Sequence, residues 1–516
     1  MEETMGLRLF NTMGRSMQDF TPITPGYVGF YGCGPTVYNY AHIGNLRAYI
    51  FLDTLDRTLT YLGFDKKHVM NITDIGHLTG DADAGEDKML KTAKERHESV
   101  LEVAKFYTDA FFKDLDALNI IRPDVVCKAT EHVQEMIELI KRIEANGHTY
   151  MAGGNLYYDV TTYEHYGDLA GLNLDELKAG AGKRDVVVID ENKRNPADFV
   201  LWFTKSKFED QALTWDSPWG RGYPGWHIEC SAMSMKYLGE HIDIHTGGID
   251  HVPIHHTNEI AQSEGATGKK WVNYWLHNEF LVIAKDKKSA SEGDGEKMSK
   301  SSGNFLRLQS LIDKGYNPLD YRMFLLGSHY RKQVYFSWDA MDGAKNGRAA
   351  LLQRVAKLIS SAGKDTAEAL KDKKYAKGQA KDVTGLSDAA KKYLEDFQAA
   401  LENDLSTPVA LSCMQKAVKD SSMEAKEILD TVSRMDSVLG LKVIESALEL
   451  IDSASGQGQN AHEGDPEVAE IDALVEKRTQ AKKSKDFALA DKIRDELTAR
   501  GIVITDTPNG PVWSRK

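Results

Sequence analysis

Two short words in this sequence carry groups suited to a polyphosphate. Lys297-Met298-Ser299-Lys300-Ser301 sets two ammonium groups three residues apart, in a stretch rich in glycine, serine and charge. Ammonium groups so placed can meet negative charge as it builds on phosphate oxygens. The other word, His42-Ile43-Gly44-Asn45, follows a strand-like run and opens a helix-like one. A helix N-terminus offers unpaired N–H groups and the positive end of a dipole to phosphate. Gly44 lets a nucleotide approach the backbone, and His42 and Asn45 can each donate a hydrogen bond. Taken singly, a capped loop explains the histidine word equally well, and a solvated loop explains the lysine word better. Their joint occurrence, in this order, favours the phosphate reading.

Four other residues have the chemistry of a tetrahedral metal site: Cys33, Cys230, His255 and Glu259. Two thiolates, an imidazole and a carboxylate suit Zn²⁺. His255 and Glu259 are four apart and share a face if they lie on a helix. The four span more than 200 positions, so spacing leaves a second reading open: two buried free cysteines and an ordinary helix-face pair. Cys127 and Cys413 read as small core residues.

These groups need a frame, and the pattern supplies one. Tyr27–Tyr31 is a strand candidate, Leu46–Leu62 has helical apolar spacing, and Val69–Ile72 is a second strand candidate. Strand, loop, helix, strand predicts a parallel sheet covered by helices, an α/β fold. Residues 116–220 read as an insertion, with an amphipathic helix over Glu131–Asn146 and a strand over Leu156–Val160. The α/β pattern resumes at Gly225, with a strand at Ile242–His245 and a helix from His255 to Glu264. After residue 318 the pattern is almost wholly helical. Residues 451–466 have linker composition. A basic helix is expected from Val468 to Arg500, with Gly501 as its cap. Ile502–Ile504 and Val512–Trp513 flank Pro508-Asn509-Gly510, a hairpin signal.

The two phosphate words resemble the HIGH and KMSKS signatures of class I aminoacyl-tRNA synthetases. Asn45 stands where the first signature has histidine, but asparagine still donates. Cys33-Gly34-Pro35-Thr36-Val37-Tyr38, Gly225–Met233 and His255–Glu264 resemble motifs of the cysteinyl-tRNA synthetase family, and the likeness covers nearly the whole chain. The resemblance implies a Rossmann-like catalytic domain in two halves (20–115 and 221–317) around a connective insertion (116–220). A helical tRNA-binding bundle (318–450), a linker (451–466) and an anticodon-binding module (467–516) follow. It implies ATP-dependent ligation of L-cysteine to its cognate tRNA through a cysteinyl-adenylate. It implies one zinc per chain, held by Cys33, Cys230, His255 and Glu259, with Mg²⁺ accompanying ATP. It implies that Gly34, Thr73, Trp226 and His245 surround the amino acid and that Thr36, His42, Gly44, Asn45, Gly247, Asp250 and Lys300 face ATP. The catalytic residues it implies are His42, Asn45, Lys297 and Lys300. Departures from the family pattern are Thr257 after the paired histidines, a long segment from Lys285 to Glu296, and an acidic run from Gly80 to Asp87.

Charge restricts how RNA is met. The 516 residues hold 64 Lys and Arg against 77 Asp and Glu, a formal charge of −13, so any nucleic-acid contact must use local basic patches. The terminal module offers one: Lys477, Arg478, Lys482, Lys483, Lys485, Lys492, Arg494 and Arg500, with Trp513 as an aromatic platform. Four cysteines without a C-x-x-C pair form no disulfide framework. Residues 1–20 lack the apolar run of a secretory signal, and no stretch suits a membrane span. A cytoplasmic monomer is expected. Two rivals share some of these features. A cysteine-activating ligase of an amino sugar, as in mycothiol ligase relatives, resembles the first 300 residues but needs no terminal RNA module. A non-catalytic RNA- or zinc-binding paralogue would have lost a lysine or a metal ligand.

Overall fold

A computed structural model describes residues 6–75, 88–171, 190–205, 213–284, 295–297, 305–371, 377–380, 382–456, 466–484, 486–507 and 510–515. A small antiparallel pair, β1 (Arg8–Asn11) and β2 (Ser16–Asp19), comes first. Then β3 (Tyr27–Gly32), α1 (Ile43–Leu62) and β4 (Asp65–Ile72) form the expected unit. Gly63 ends α1 at φ 98°, a left-handed cap that glycine adopts without steric cost. Helices α2 (Lys88–Arg96) and α3 (Val100–Ala117) lead to β5 (Val125–Lys128).

The main sheet has the order β11-β10-β3-β4-β5, and every pairing is parallel. Strands β10 (Ile242–Gly248) and β11 (Val272–Asn278) return on the far side of β3. The strand order therefore reverses between β3 and β10, and in such sheets ligands bind beyond the carboxyl ends at the reversal. Both faces are covered, which is why β3 and β10 are almost continuously buried. Four residues at β5 were too short a run to separate from the insertion that follows, yet β5 pairs with β4.

Between β5 and β10 lie α4 (Val133–Ala145), an antiparallel sheet and α5 (Trp226–Leu238). The sheet joins β6 (Thr149–Ala152), β7 (Asn155–Tyr158), β8 (Phe199–Phe203) and β9 (Tyr223–Pro224) in sequence order. After β10 the chain makes a π-helical turn at Val252–His256 and enters α6 (Thr257–Thr267). A three-stranded sheet follows, in which β12 (Leu281–Ala284) pairs antiparallel with β13 (Gly295–Lys297) and parallel with β14 (Val334–Phe336). Helices then dominate, including Trp338–Ala362, Asp388–Glu402, Thr407–Ala417 and Ala425–Leu439.

The chain divides into two compact units, Met1–Ile444 and Glu445–Lys516. In the second, the expected single basic helix is two, Pro466–Lys483 and Phe487–Ala499. Asp486 breaks the run by accepting a hydrogen bond from Leu489 N, an N-cap that competes with helix continuation. Strands β15 (Ile502–Thr507) and β16 (Gly510–Arg515) form the expected hairpin. Ile471, Val475, Ile493, Leu497 and Ile502 make a core local to this unit.

Candidate active site and metal pocket

Cys33 sits one residue past β3, its N–H bonded to Thr246 O of β10 at 3.3 Å. Cys230 comes from α5, His255 from the π-helical turn and Glu259 from α6. The reversal of strand order brings all four to one point. One donor atom from each lies within 4.8 Å of every other. A second set, Cys33, His245, His256 and Glu259, meets the same limit and shares two members with the first.

The donors lean on one another. His255 Nε2 lies 3.0 Å from Glu259 Oε1, and His245 Nε2 lies 2.9 Å from Oε2. Burial alone would raise the Glu259 carboxyl, but these two imidazoles bring it down to about 2. Burial likewise pulls His255 down, and Glu259 reverses that, raising it to about 10. The Cys33 thiol donates to Cys230, which drops the second thiol below its usual range while burial pushes the first well above. Glu259 Oε1 is buried and faces the His255 ring nitrogen at 3.0 Å. A buried carboxylate beside two thiols and an imidazole, with one donor atom of each within 4.8 Å of the others, fits a Zn²⁺ ligand set.

A surrounding layer of side chains was not legible in spacing. His227 Nδ1 lies 2.9 Å from His255 Nδ1, so a metal on Nε2 would place the His255 proton on Nδ1, toward His227. His256 Nε2 lies 3.3 Å from Cys33 Sγ, and its Nδ1 lies 2.7 Å from His277 Nε2. Only sheet pairing brings His277 of β11 here. His245 is fully buried behind Glu259. Trp226 packs on the His255 ring, centroids 4.2 Å apart.

Thr73 is held by β3–β4 continuity and by side chains. Thr36 and Thr73 form an isolated parallel bridge beyond the strand ends. Asn71 accepts from Gly34 N at 2.7 Å and donates to Thr73 Oγ1 at 3.1 Å. Thr73 in turn donates to Glu229 Oε2 at 2.8 Å. A Cβ on Gly34 would lie 1.7 Å from Asn71 O, so glycine is required there. Asn71 and Glu229 went unnoticed in the sequence, although Glu229 lies within the word that contains Cys230.

His42 caps α1. Its Nδ1 accepts from Asn45 N at 3.0 Å, while Asn45 Oδ1 accepts from His42 N at 3.2 Å. Asparagine at this position thus completes a reciprocal cap and retains Nδ2 as a donor. A Cβ on Gly44 would lie 3.0 Å from two His42 ring atoms. Gly247 ends β10 under the His256 ring, where a Cβ would lie 2.6 Å from Cε1. Asp250 follows in a 3₁₀ turn, with Oδ1 2.4 Å from where a Gly248 Cβ would be. Lys297 is the last residue of β13, in register with Val282. Lys300 falls outside the described residues.

In the second unit, part of the expected basic patch is engaged internally. Arg494 pairs with Asp491 at 3.1 Å and Arg500 with Glu470 at 3.0 Å, while Arg478 is buried. Lys477, Lys482 and Lys492 are exposed. Trp513 donates to Asp472 at 2.7 Å. Lys485 lies outside the described residues.

Comparison with known proteins gives a consistent result. Residues 19–346 match the family described as tRNA synthetases class I (C) catalytic domain. Residues 466–513 match the cysteinyl-tRNA ligase anticodon binding domain. A cysteine–tRNA ligase of Treponema denticola is 57% identical over 515 residues, covering 99% of this chain and 100% of the relative. One from Treponema pallidum subsp. pallidum is 45% identical over 520 residues, with 99% and 100% covered. Among solved structures, Mycobacterium tuberculosis methionyl-tRNA synthetase with methionyl-adenylate aligns at TM-score 0.51 and 16% identity, covering 83% of this chain and 93% of that one. An Agrobacterium radiobacter K84 LeuRS–tRNA–LeuAMS complex aligns at TM-score 0.53 and 10% identity, covering 84% and 86%. These two share the fold.

Proposed function

The chain belongs to the cysteinyl-tRNA ligase family of class I aminoacyl-tRNA synthetases, and on that premise we propose how its residues join L-cysteine to tRNA at the expense of ATP. The cysteine carboxylate attacks the α-phosphate of ATP and pyrophosphate leaves, forming cysteinyl-adenylate. A ribose hydroxyl of the terminal adenosine of tRNA then attacks the carbonyl and AMP leaves. No protein nucleophile is needed; catalysis is positioning and electrostatics.

Cys33, Cys230, His255 and Glu259 hold zinc, with His227 and His245 orienting His255 and Glu259. When bound, zinc favours a thiolate over the neutral hydroxyl of serine, a discrimination that an apolar pocket supplies poorly. Gly34, Thr73, Trp226 and His245 surround the amino acid, with His245 acting through Glu259. His42 and Asn45 donate to phosphate from the start of α1, and Thr36 and Gly44 leave room for it. Gly247 lets the nucleotide close on β10, and Asp250 accepts from its ribose. Lys297 and Lys300 stabilise charge on the phosphates, and Mg²⁺ enters with ATP. The domain division is proposed as given above, with the sheet half extended to β5.

The observation that carries this reading is the buried four-donor cluster at the reversal of strand order. The match at 466–513 favours tRNA over an amino sugar as acceptor. Cytoplasmic action as a monomer is proposed with it; among the described residues no helix is long and apolar enough to cross a membrane. The test is cysteine-dependent ATP–pyrophosphate exchange on metal-analysed protein, with serine in parallel, followed by charging of tRNA. Exchange with cysteine alone, zinc at one per chain and charged tRNA are expected. Exchange with serine at a similar rate, or exchange by zinc-free protein, would reject the selection scheme.

A further inference from the structure

Arg47 lies two residues beyond Asn45 on α1, and its side chain is almost fully buried, at 4% exposure. Its named partners are all backbone carbonyls. Nη1 donates to Phe280 O, and Nη2 donates to Tyr330 O at 3.0 Å and to Lys332 O. Phe280 immediately precedes β12, and Lys332 stands two residues before β14. Phe280 O also accepts from Val334 N at 3.0 Å, which ties the two strand starts together. β12 in turn pairs with β13, placing Val282 opposite Lys297. On the other side of the Lys297–Ser301 word, Leu306 O accepts from Ile43 N at 2.9 Å. The segments entering and leaving that word are therefore both fastened to the first turns of the helix that His42 caps.

We infer that Arg47 is a positioning residue: its fork of donors fixes the strand bearing Lys297 relative to His42, so that the two signature words act on one polyphosphate. The inference rests on the phosphate reading of both words. A buried guanidinium bonded to backbone carbonyls is a modest stability device, because its desolvation offsets much of what those bonds contribute. It is a good geometric one, since the donors leave a planar group in fixed directions. Lysine keeps the charge but loses the fork. Displacements of about 1 Å at a reacting centre cost up to about 100-fold in rate.

The test uses full-length, metal-analysed protein with Arg47→Gln, Arg47→Lys and Lys300→Ala, normalised by active-site titration of adenylate. For Arg47→Gln, kcat of cysteine-dependent ATP–pyrophosphate exchange per titrated site should fall about 10- to 100-fold. Zinc content and KM for cysteine should stay within about twofold, because the amino-acid side is untouched. Wild-type kcat per titrated site would overturn the inference, however much protein is lost to misfolding. So would a KM for cysteine that rises as kcat falls. If the glutamine variant does not fold, Arg47→Lys decides: an intermediate kcat supports the role and a wild-type kcat rejects it. Full activity in Lys300→Ala would remove the phosphate reading itself, and the role of Arg47 with it. An inactive Lys300→Ala beside fully active Arg47 variants would reject the role of Arg47 alone.

Discussion

At the scale of single residues, the pocket is built from groups that hold each other's protons and charges. Glu259 is the pivot, touched by His255 on one oxygen and His245 on the other. Removing the outer partner should loosen the metal without deleting a ligand. His245→Ala is expected to weaken zinc binding about 10- to 100-fold. Competition with a chromophoric chelator measures this, and unchanged affinity would show that His245 does not orient Glu259. That Cys33, Cys230, His255 and Glu259 come together was legible because three local words each carry one or two of them; no spacing rule joins Cys33 to Glu259 across the chain. His277 and Asn71 were not legible, because their roles exist only once β11 and β4 lie beside their neighbours.

At the scale of elements, the site depends on how strands end. Gly34 must pass under Asn71 O for Thr36 and Thr73 to pair beyond β3 and β4. Gly34→Ala should lower the thermal midpoint and abolish exchange together; a folded, fully active variant would mean that the backbone there can move aside. Helix α1 is tied to β4 by Asp56, which meets Lys66 at 3.0 Å and His68 at 3.3 Å, both from β4. Burial opposes the charge on Asp56, but His68 and Lys66 hold its carboxyl below the usual range. A depressed carboxylate stabilises fully above its unfolded pKa of about 3.9 and loses that contribution as pH falls through the folded value. Asp56→Asn should therefore cost about 2 kcal/mol at pH 7, with the penalty shrinking only as pH falls below the unfolded value and through the lower folded one. Denaturant unfolding at pH 7 and at a pH below the folded value checks it, and a penalty equal at both would remove the ionic explanation. Periodicity revealed β3, α1, β4 and β10 because they are long and buried. β5 was hidden by its brevity, and the break at Asp486 by the continuous basic run around it.

At the scale of the whole molecule, two units have separate cores, and the second matches an anticodon-binding family. Deleting residues 466–516 should leave cysteine-dependent exchange nearly intact and raise KM for tRNA in charging. Equal loss of both activities would mean that adenylate formation needs the second unit. That a separate terminal module exists was legible from the linker composition before it, although residues 451–456 of the expected linker close the helix Val443–Gly456, whose apolar spacing runs on past residue 450, and residues 457–465 lie outside the described residues. Which of its cations are spent on internal pairs was only partly legible: Asp491 and Arg494 are three apart on one helix, but Glu470 meets Arg500 only in the folded unit. The two overlapping donor sets in the catalytic unit carry one more consequence. Cysteine sulfur and clustered imidazoles hold copper at least as well as zinc, so selectivity rests on which ion the cell makes available. Copper added to the metal-free protein should silence exchange while leaving it folded, and full activity in the copper-loaded form would refute this. In a cell with failing copper control, cysteine codons would then stall although the protein that serves them is still present.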